Sequence, residues 1–207
     1  QLPGLRVADT SEGIPLLEGQ GHTHEHDGSE TAEEHAHAVN EHIWMSPARY
    51  ARQVENLRDA LAEADPAHAA AYRANAERYL AQVREMEART SRLSQSLAGR
   101  DCATFHDSAA YLAADLSLHV TAALSIGEES GASAGELAAA ADALRGRDVL
   151  LLYDGQYPVE YAYLADYASS SRTVVLDTAV KPSTGADPAV RWLDAMEANL
   201  RALENGG

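Results

Sequence analysis

The most constraining feature of this chain is a long apolar stripe near its middle. Tyr72, Ala76, Tyr79, Val83, Met86, Thr90, Leu93 and Leu97 recur at spacings of three and four, the period of one helix face. Asp65-Pro66 supplies a start signal and Gly99 a stop. At 1.5 Å per residue, about 33 residues between these signals predict a rod of roughly 50 Å. A rod of that length is long for one compact body and suits a strut between two lobes. Ahead of it, Ser46-Pro47 reads as an N-cap followed by a first-turn proline, and Tyr50, Val54, Leu57 and Leu61 continue as a second amphipathic stripe.

Beyond Gly99 the pattern changes. Short β-rich runs at 102–105, 120–124, 149–153 and 173–176 are followed by helical stretches near 107–115, 134–145, 158–169 and 188–204. Strand–helix alternation predicts an α/β architecture, here a four-stranded parallel sheet covered on both faces and joined by right-handed crossovers. The expected division is 1–64, a long linking helix over 65–99, and an α/β lobe over 100–207. A short apolar run at 5–8 could end a further strand.

From 19 to 41 the composition turns to His, Glu, Gly, Ser and Thr, with little to bury, so the segment reads as a solvated loop. It contains His22, His24, His26, His35 and His37. On an extended segment this alternate spacing puts imidazoles on one side, where zinc, copper and nickel find the nitrogen ligands they favour. A flexible site loses ordering entropy on binding, so these histidines are expected to collect ions weakly as auxiliary ligands.

The formal net charge of −16 disfavours nucleic acid and anionic membrane as partners and attracts cations, though it serves solubility equally. Cys102 is the single cysteine, which excludes a disulfide framework and a Cys-based zinc site. Imidazole and carboxylate must then supply any tight metal site. No apolar stretch reaches the roughly 20 residues that span a bilayer, so membrane insertion is not expected. A chain opening at Gln1 reads as a mature or trimmed fragment.

Within the α/β part, His106 ends the first strand and Asp177 the fourth. Ligands in open α/β sheets collect just beyond the carboxyl ends of the strands, so two good metal ligands emerge on the functional edge. Singly, His106 serves as well for a cap or core residue, and Asp177 for a turn. Glu128, Glu129 and Asp154 also follow strands, as completing ligands, supporting partners or solvated turn charges. His42 directly precedes the capped helix in Asn40-Glu41-His42-Ile43-Trp44. His68 and His119 read as structural or surface residues.

The ordered set of motifs resembles the solute-binding proteins of zinc and manganese ABC transporters, the ZnuA-like group. The elements are the 5–17 segment, the His-rich loop, His42-Ile43-Trp44-Met45-Ser46-Pro47, Asp65-Pro66, Thr104-Phe105-His106-Asp107-Ser108, Tyr153-Asp154-Gly155-Gln156-Tyr157, Val174-Val175-Leu176-Asp177 and the final 192–200 helix. The resemblance implies two α/β lobes joined by a rigid helix, with 1–64 the remnant of the first lobe. It also implies an ion held by His42, His106 and Asp177, one ligand short of the family's set. Water, Glu128, Glu129, a loop histidine or a second molecule would complete the shell. By the same resemblance the cargo is Zn(2+) rather than Mn(2+), since His106 stands where manganese proteins carry glutamate. The implied role is capture outside the cytoplasm, in the periplasm or at a lipid-anchored surface, and delivery to a membrane permease. Cell adhesion also occurs in the family, and no enzymatic activity is expected.

Two departures stand out. Asn40-Glu41 replaces the usual Asp-Pro before His-x-Trp, removing a carboxylate of the kind that orients a ligating ring. Asp154-Gly155-Gln156 replaces an acidic-Pro-Gln turn. Two alternatives compete with the transport reading: an HD-type metal-dependent phosphohydrolase, whose family is all-helical, and a buffering module in which the His-rich loop alone matters.

Overall fold

The structure is a computed structural model that describes residues 6–19, 39–124, 132–156, 162–180, 187 and 190–205. After an irregular segment, a 3-10 turn over Ile43–Met45 leads into α1, Pro47–Ala64. The Ser46 side chain accepts from the Arg49 N–H, the N-cap expected from Ser-Pro. A second 3-10 turn over Pro66–His68 precedes α2, Ala69–Leu97. At 29 residues α2 is about 43 Å long. It buries Ala76, Val83, Met86, Thr90, Leu93 and Leu97 as the stripe predicts, and Leu80 besides. Gly99, at φ 75°, ends it in the left-handed region that a side chain disfavours.

The remaining elements are β1 Asp101–Thr104, α3 Ala110–Asp115, β2 His119–Ala123, α4 Ala134–Leu144, β3 Asp148–Asp154, β4 Ser170–Leu176 and α5 Arg191–Glu204. The strands form one parallel sheet in the order β2-β1-β3-β4. Successive side chains alternate between its faces. Cys102, Leu150, Leu152, Val174 and Leu176 join a core with α2, α3 and α5. Ala103, Val149, Leu151 and Tyr153 join a second core with α4 and a 3-10 run over Ala162–Tyr167. The sheet is thus covered on both faces.

Three local expectations differ from what is observed. Residues 6–9 carry no regular structure, and Val7 is exposed, since no described strand lies beside them to pair with. The α1 stripe is only half covered. Pro47, Ala51 and Ala62 are the residues this helix buries, leaving Leu57 and Leu61 exposed. Around 162–167 the backbone is 3-10 rather than α, and Leu164 is the residue it buries.

Candidate metal centre

The strand order determines where a ligand can sit. From β1 the chain crosses by α3 on one face to β2, then by α4 on the other face to β3, on the far side of β1. Connections that diverge in this way open a crevice at the carboxyl ends of β1 and β3. His106 leaves β1 in extended conformation, at φ −159° and ψ 149°, and caps a 3-10 turn over Asp107–Ala109. Asp154 is the last residue of β3, and Asp177 directly follows β4.

His42 reaches this edge from the segment before α1. Its ring meets that of His106 edge to face, with centroids 5.1 Å apart. Both side chains are largely buried. The Asp107 carboxylate stands with Oδ1 3.3 Å from Nδ1 of each ring. Ligand atoms of His42, His106 and Asp107 all lie within 4.8 Å of one another, a grouping compact enough for one ion.

Asn40 holds His42 in place. The buried Asn40 Oδ1 accepts from the His42 N–H at 2.9 Å and lies 3.1 Å from His42 Nδ1. Its Nδ2 donates to the Asp107 carbonyl at 2.8 Å, which fixes which end of the amide is oxygen. Its own carbonyl accepts from the fully buried Tyr111 hydroxyl at 2.8 Å, and that hydroxyl accepts from the Leu17 N–H at 3.0 Å. His42 therefore carries its proton on Nδ1 and presents an unprotonated Nε2. Burial pushes its proton affinity below the ordinary histidine value and outweighs the attraction of Asp107, so the ring is neutral at pH 7. The amide orients the ring as a carboxylate would, so the Asn40 departure leaves this function intact.

With Nδ1 of His42 donating to Asn40 and Nδ1 of His106 accepting from Ser108, Asp107 takes a hydrogen bond from neither ring, and its carboxylate acts on both through its charge at 3.3 Å. A carboxylate so close to both rings favours a cation beside them. The sequence reading did not single out Asp107 for this role; its adjacency to His106 was the available signal. The His106 Nδ1 accepts the Ser108 N–H at 3.1 Å and lies 3.9 Å from Asp154 Oδ2. Asp154 is buried and accepts from Ser108 Oγ at 2.9 Å, Thr178 Oγ1 at 3.2 Å and the Gln156 N–H at 2.9 Å. Gly155 permits this turn: its N–H donates to Leu176 O at 2.7 Å, and a Cβ here would lie 3.0 Å from that oxygen. The N–H used there is one that proline lacks.

Asp177 does not join the compact grouping. Its Oδ1 accepts from Arg191 Nη2 at 2.6 Å and from the Ala179 N–H at 2.9 Å. Burial opposes its charge, but these two donors hold its carboxyl below the usual carboxylate range. A brace of two indoles ties its loop to the His42 arm. Trp44 Nε1 donates to Thr178 O at 2.8 Å, and Trp192 Nε1 donates to Trp44 O at 2.9 Å. Trp192 stacks on Tyr50 with centroids 4.1 Å apart.

His68 and His119 are exposed and pair with Asp65 and Asp101, each at 2.7 Å. Burial pushes the Cys102 thiol up to about 12, which keeps it from serving as a thiolate ligand. Glu128, Glu129 and the loop histidines His22, His24, His26, His35 and His37 lie outside the described residues.

The sequence profile of the zinc-uptake complex component A periplasmic family, ZnuA, matches residues 2–206. The chain belongs to the ZnuA family. That family is one of solute-binding proteins of metal uptake, not of enzymes. The zinc-binding protein AdcA of Streptococcus pyogenes serotype M3 is 28% identical over 176 residues, covering 80% of this chain and 32% of that protein. The high-affinity zinc uptake system protein ZnuA of Bacillus subtilis is 27% identical over 201 residues, covering 95% of this chain and 62% of its own length. The chain thus spans about a third of the AdcA relative. Its fold matches the solute-binding protein FpvC of Pseudomonas aeruginosa, whose structure holds Mn2+, with TM-score 0.76 and 24% identity over 99% of this chain and 73% of that one. The parallel sheet beneath His106 is that of a ZnuA-family protein and not of an all-helical HD phosphohydrolase.

Proposed function

We propose that this ZnuA-family chain is a metal-capturing component of a zinc importer, acting outside the cytoplasm and passing its ion to a membrane permease rather than catalysing a reaction. The observation that carries the reading is the meeting of His42 and His106, two imidazoles from distant segments, at the carboxyl edge of a parallel sheet. The proposed ligands are His42, His106 and Asp177, with Asp107 and Asp154 adding negative charge beside them. Imidazole donors in so small a grouping suit zinc better than manganese, which prefers more oxygen. Zinc-binding relatives support that choice, while the Mn2+-bound FpvC structure makes manganese the ion to test against. The same reading takes 1–64 as the end of a first lobe, 65–99 as the link and 100–207 as the second lobe. No helix among the described residues is long and apolar enough to cross a membrane.

Removing residues 20–38 tests this against the buffering alternative. Micromolar or tighter zinc binding, read by calorimetry, is expected to survive the deletion. Its disappearance would transfer the function to the loop histidines.

Affinity is expected to fall with acidity. His42 is depressed below the ordinary value of about 6.5, so it stays unprotonated and competent above that pH. As pH drops through its lowered value, protons compete with the ion, and zinc affinity should decline there. Calorimetric Kd values independent of pH from about 5 to 8 would count against imidazole ligation.

A further inference from the structure

We propose that Arg191 is a resident counter-cation for Asp177, displaced when the metal arrives and restored when it leaves. Arg191 would thereby set both affinity and release. The inference rests on the reading of Asp177 as a ligand and adds a residue that the ligand set does not contain.

Three observations converge on it. First, the backbone at Asp177 is held still. Its N–H donates to Asn199 Oδ1 at 2.7 Å and its carbonyl accepts from Asn199 Nδ2 at 2.8 Å, with Asn199 itself buried. The next residue is held by Trp44 through its carbonyl and by Gln156, whose Nε2 donates to Thr178 Oγ1 at 2.5 Å. Rotation of the side chain is the freedom left to Asp177.

Second, that side chain is already committed to a positive charge. Arg191 reaches Asp177 Oδ1 at 2.6 Å, from a side chain only 16% exposed, while that of Asp177 is 44% exposed. Of the two groups the carboxylate is the more open to solvent. An ion approaching from solvent meets the carboxylate before it meets its partner.

Third, the residue after Asp177 is in contact with the surroundings of both histidines. Thr178 bonds Trp44, two residues beyond His42, and also Asp154, which stands 3.9 Å from His106 Nδ1. The carboxylate is therefore tied through Thr178 to the surroundings of the His42–His106 grouping yet stands outside it, held by a monovalent cation. A divalent ion fixed by the two imidazoles attracts the carboxylate more strongly than the guanidinium does. The exchange breaks one ion pair for each ion bound, so it lowers affinity, and it offers the carboxylate a partner as the ion departs.

The test is Arg191→Gln, with Arg191→Lys and Asp177→Asn beside it. Zinc affinity is read by competition with a chromophoric chelator, and dissociation by rapid mixing into excess EDTA. Arg191→Gln is expected to bind zinc about three- to tenfold more tightly and to release it more slowly, the scale of one partly exposed ion pair. Its metal-free form should melt lower than the native one, while the rise in Tm on adding zinc should grow. Arg191→Lys, which keeps the charge but loses the planar fork, should fall between native and Gln, and it decides the matter should Arg191→Gln fail to fold. In the Asp177→Asn background the Arg191 substitutions should have no further effect on affinity. If Asp177→Asn weakens zinc binding but the Arg191 variants leave it unchanged or weaken it, the counter-cation role is overturned and the ligand reading stands. If Asp177→Asn changes nothing, the ligand reading of Asp177 itself is wrong.

Discussion

His106→Ala is expected to weaken zinc binding by more than about 100-fold, beyond the 10- to 100-fold that loss of an orienting partner costs. The reason is geometric. His106 is delivered by the end of β1, and its ring lies against that of His42 with no other imidazole among the described residues placed to replace it. Asp107→Asn supplies the contrast. With its carboxylate 3.3 Å from Nδ1 of both rings, Asp107 would favour the ion through its charge, so its loss should fall within the 10- to 100-fold band of a supporting partner. Calorimetric titration of the two variants separates these positions. Equal losses on His106→Ala and Asp107→Asn, both above 100-fold, would promote Asp107 to a ligand.

Trp192→Ala should remove about 3–5 kcal/mol of folding stability, the range for truncating a large buried aromatic. Trp192 is 7% exposed, stacks on Tyr50 and donates to the Trp44 carbonyl. The truncation therefore empties a core position and also releases the arm that carries His42. Zinc affinity should drop along with the denaturation midpoint. Trp192→Phe keeps most of the aromatic packing and loses only the N–H donor, for about 1 kcal/mol. Urea unfolding followed by circular dichroism checks both values. A truncation costing less than about 1 kcal/mol would show that the brace is ornamental.

The parts of this molecule legible in the sequence were those set by local pattern. Parallel strands buried on both faces read as continuous apolar runs, which is why β1 and β3 were placed to within a residue or two. Ser46-Pro47 and Gly99 marked helix ends through backbone chemistry that needs no tertiary context. The α1 stripe misled because periodicity identifies an apolar face without saying what covers it, and Leu57 and Leu61 are left exposed. At the proposed site, strand-end position was enough to put His106 and Asp177 on the carboxyl edge of the sheet, though not to show that Arg191 holds Asp177 outside the compact grouping. The roles of Asn40 and Asp107 were not legible, since each depends on a partner that only folding brings near. Asn40 is fixed by Tyr111, 71 residues away, and Asp107 faces a ring supplied from before α1. The grip of Arg191 on Asp177 spans 14 positions, a spacing that no helix or strand period predicts.

The indole brace has a practical consequence. Trp44 and Trp192 are the two tryptophans of the chain, and both belong to the same hydrogen-bonded link between the His42 arm and the Asp177 loop. Emission excited at the red edge of protein absorbance therefore comes almost wholly from one spot beside the proposed ion-binding edge. The sheet and the long helix contribute no indole to it. The native protein carries its own optical gauge of that edge, and a shift in its emission colour or intensity on adding metal reports movement there without any attached dye.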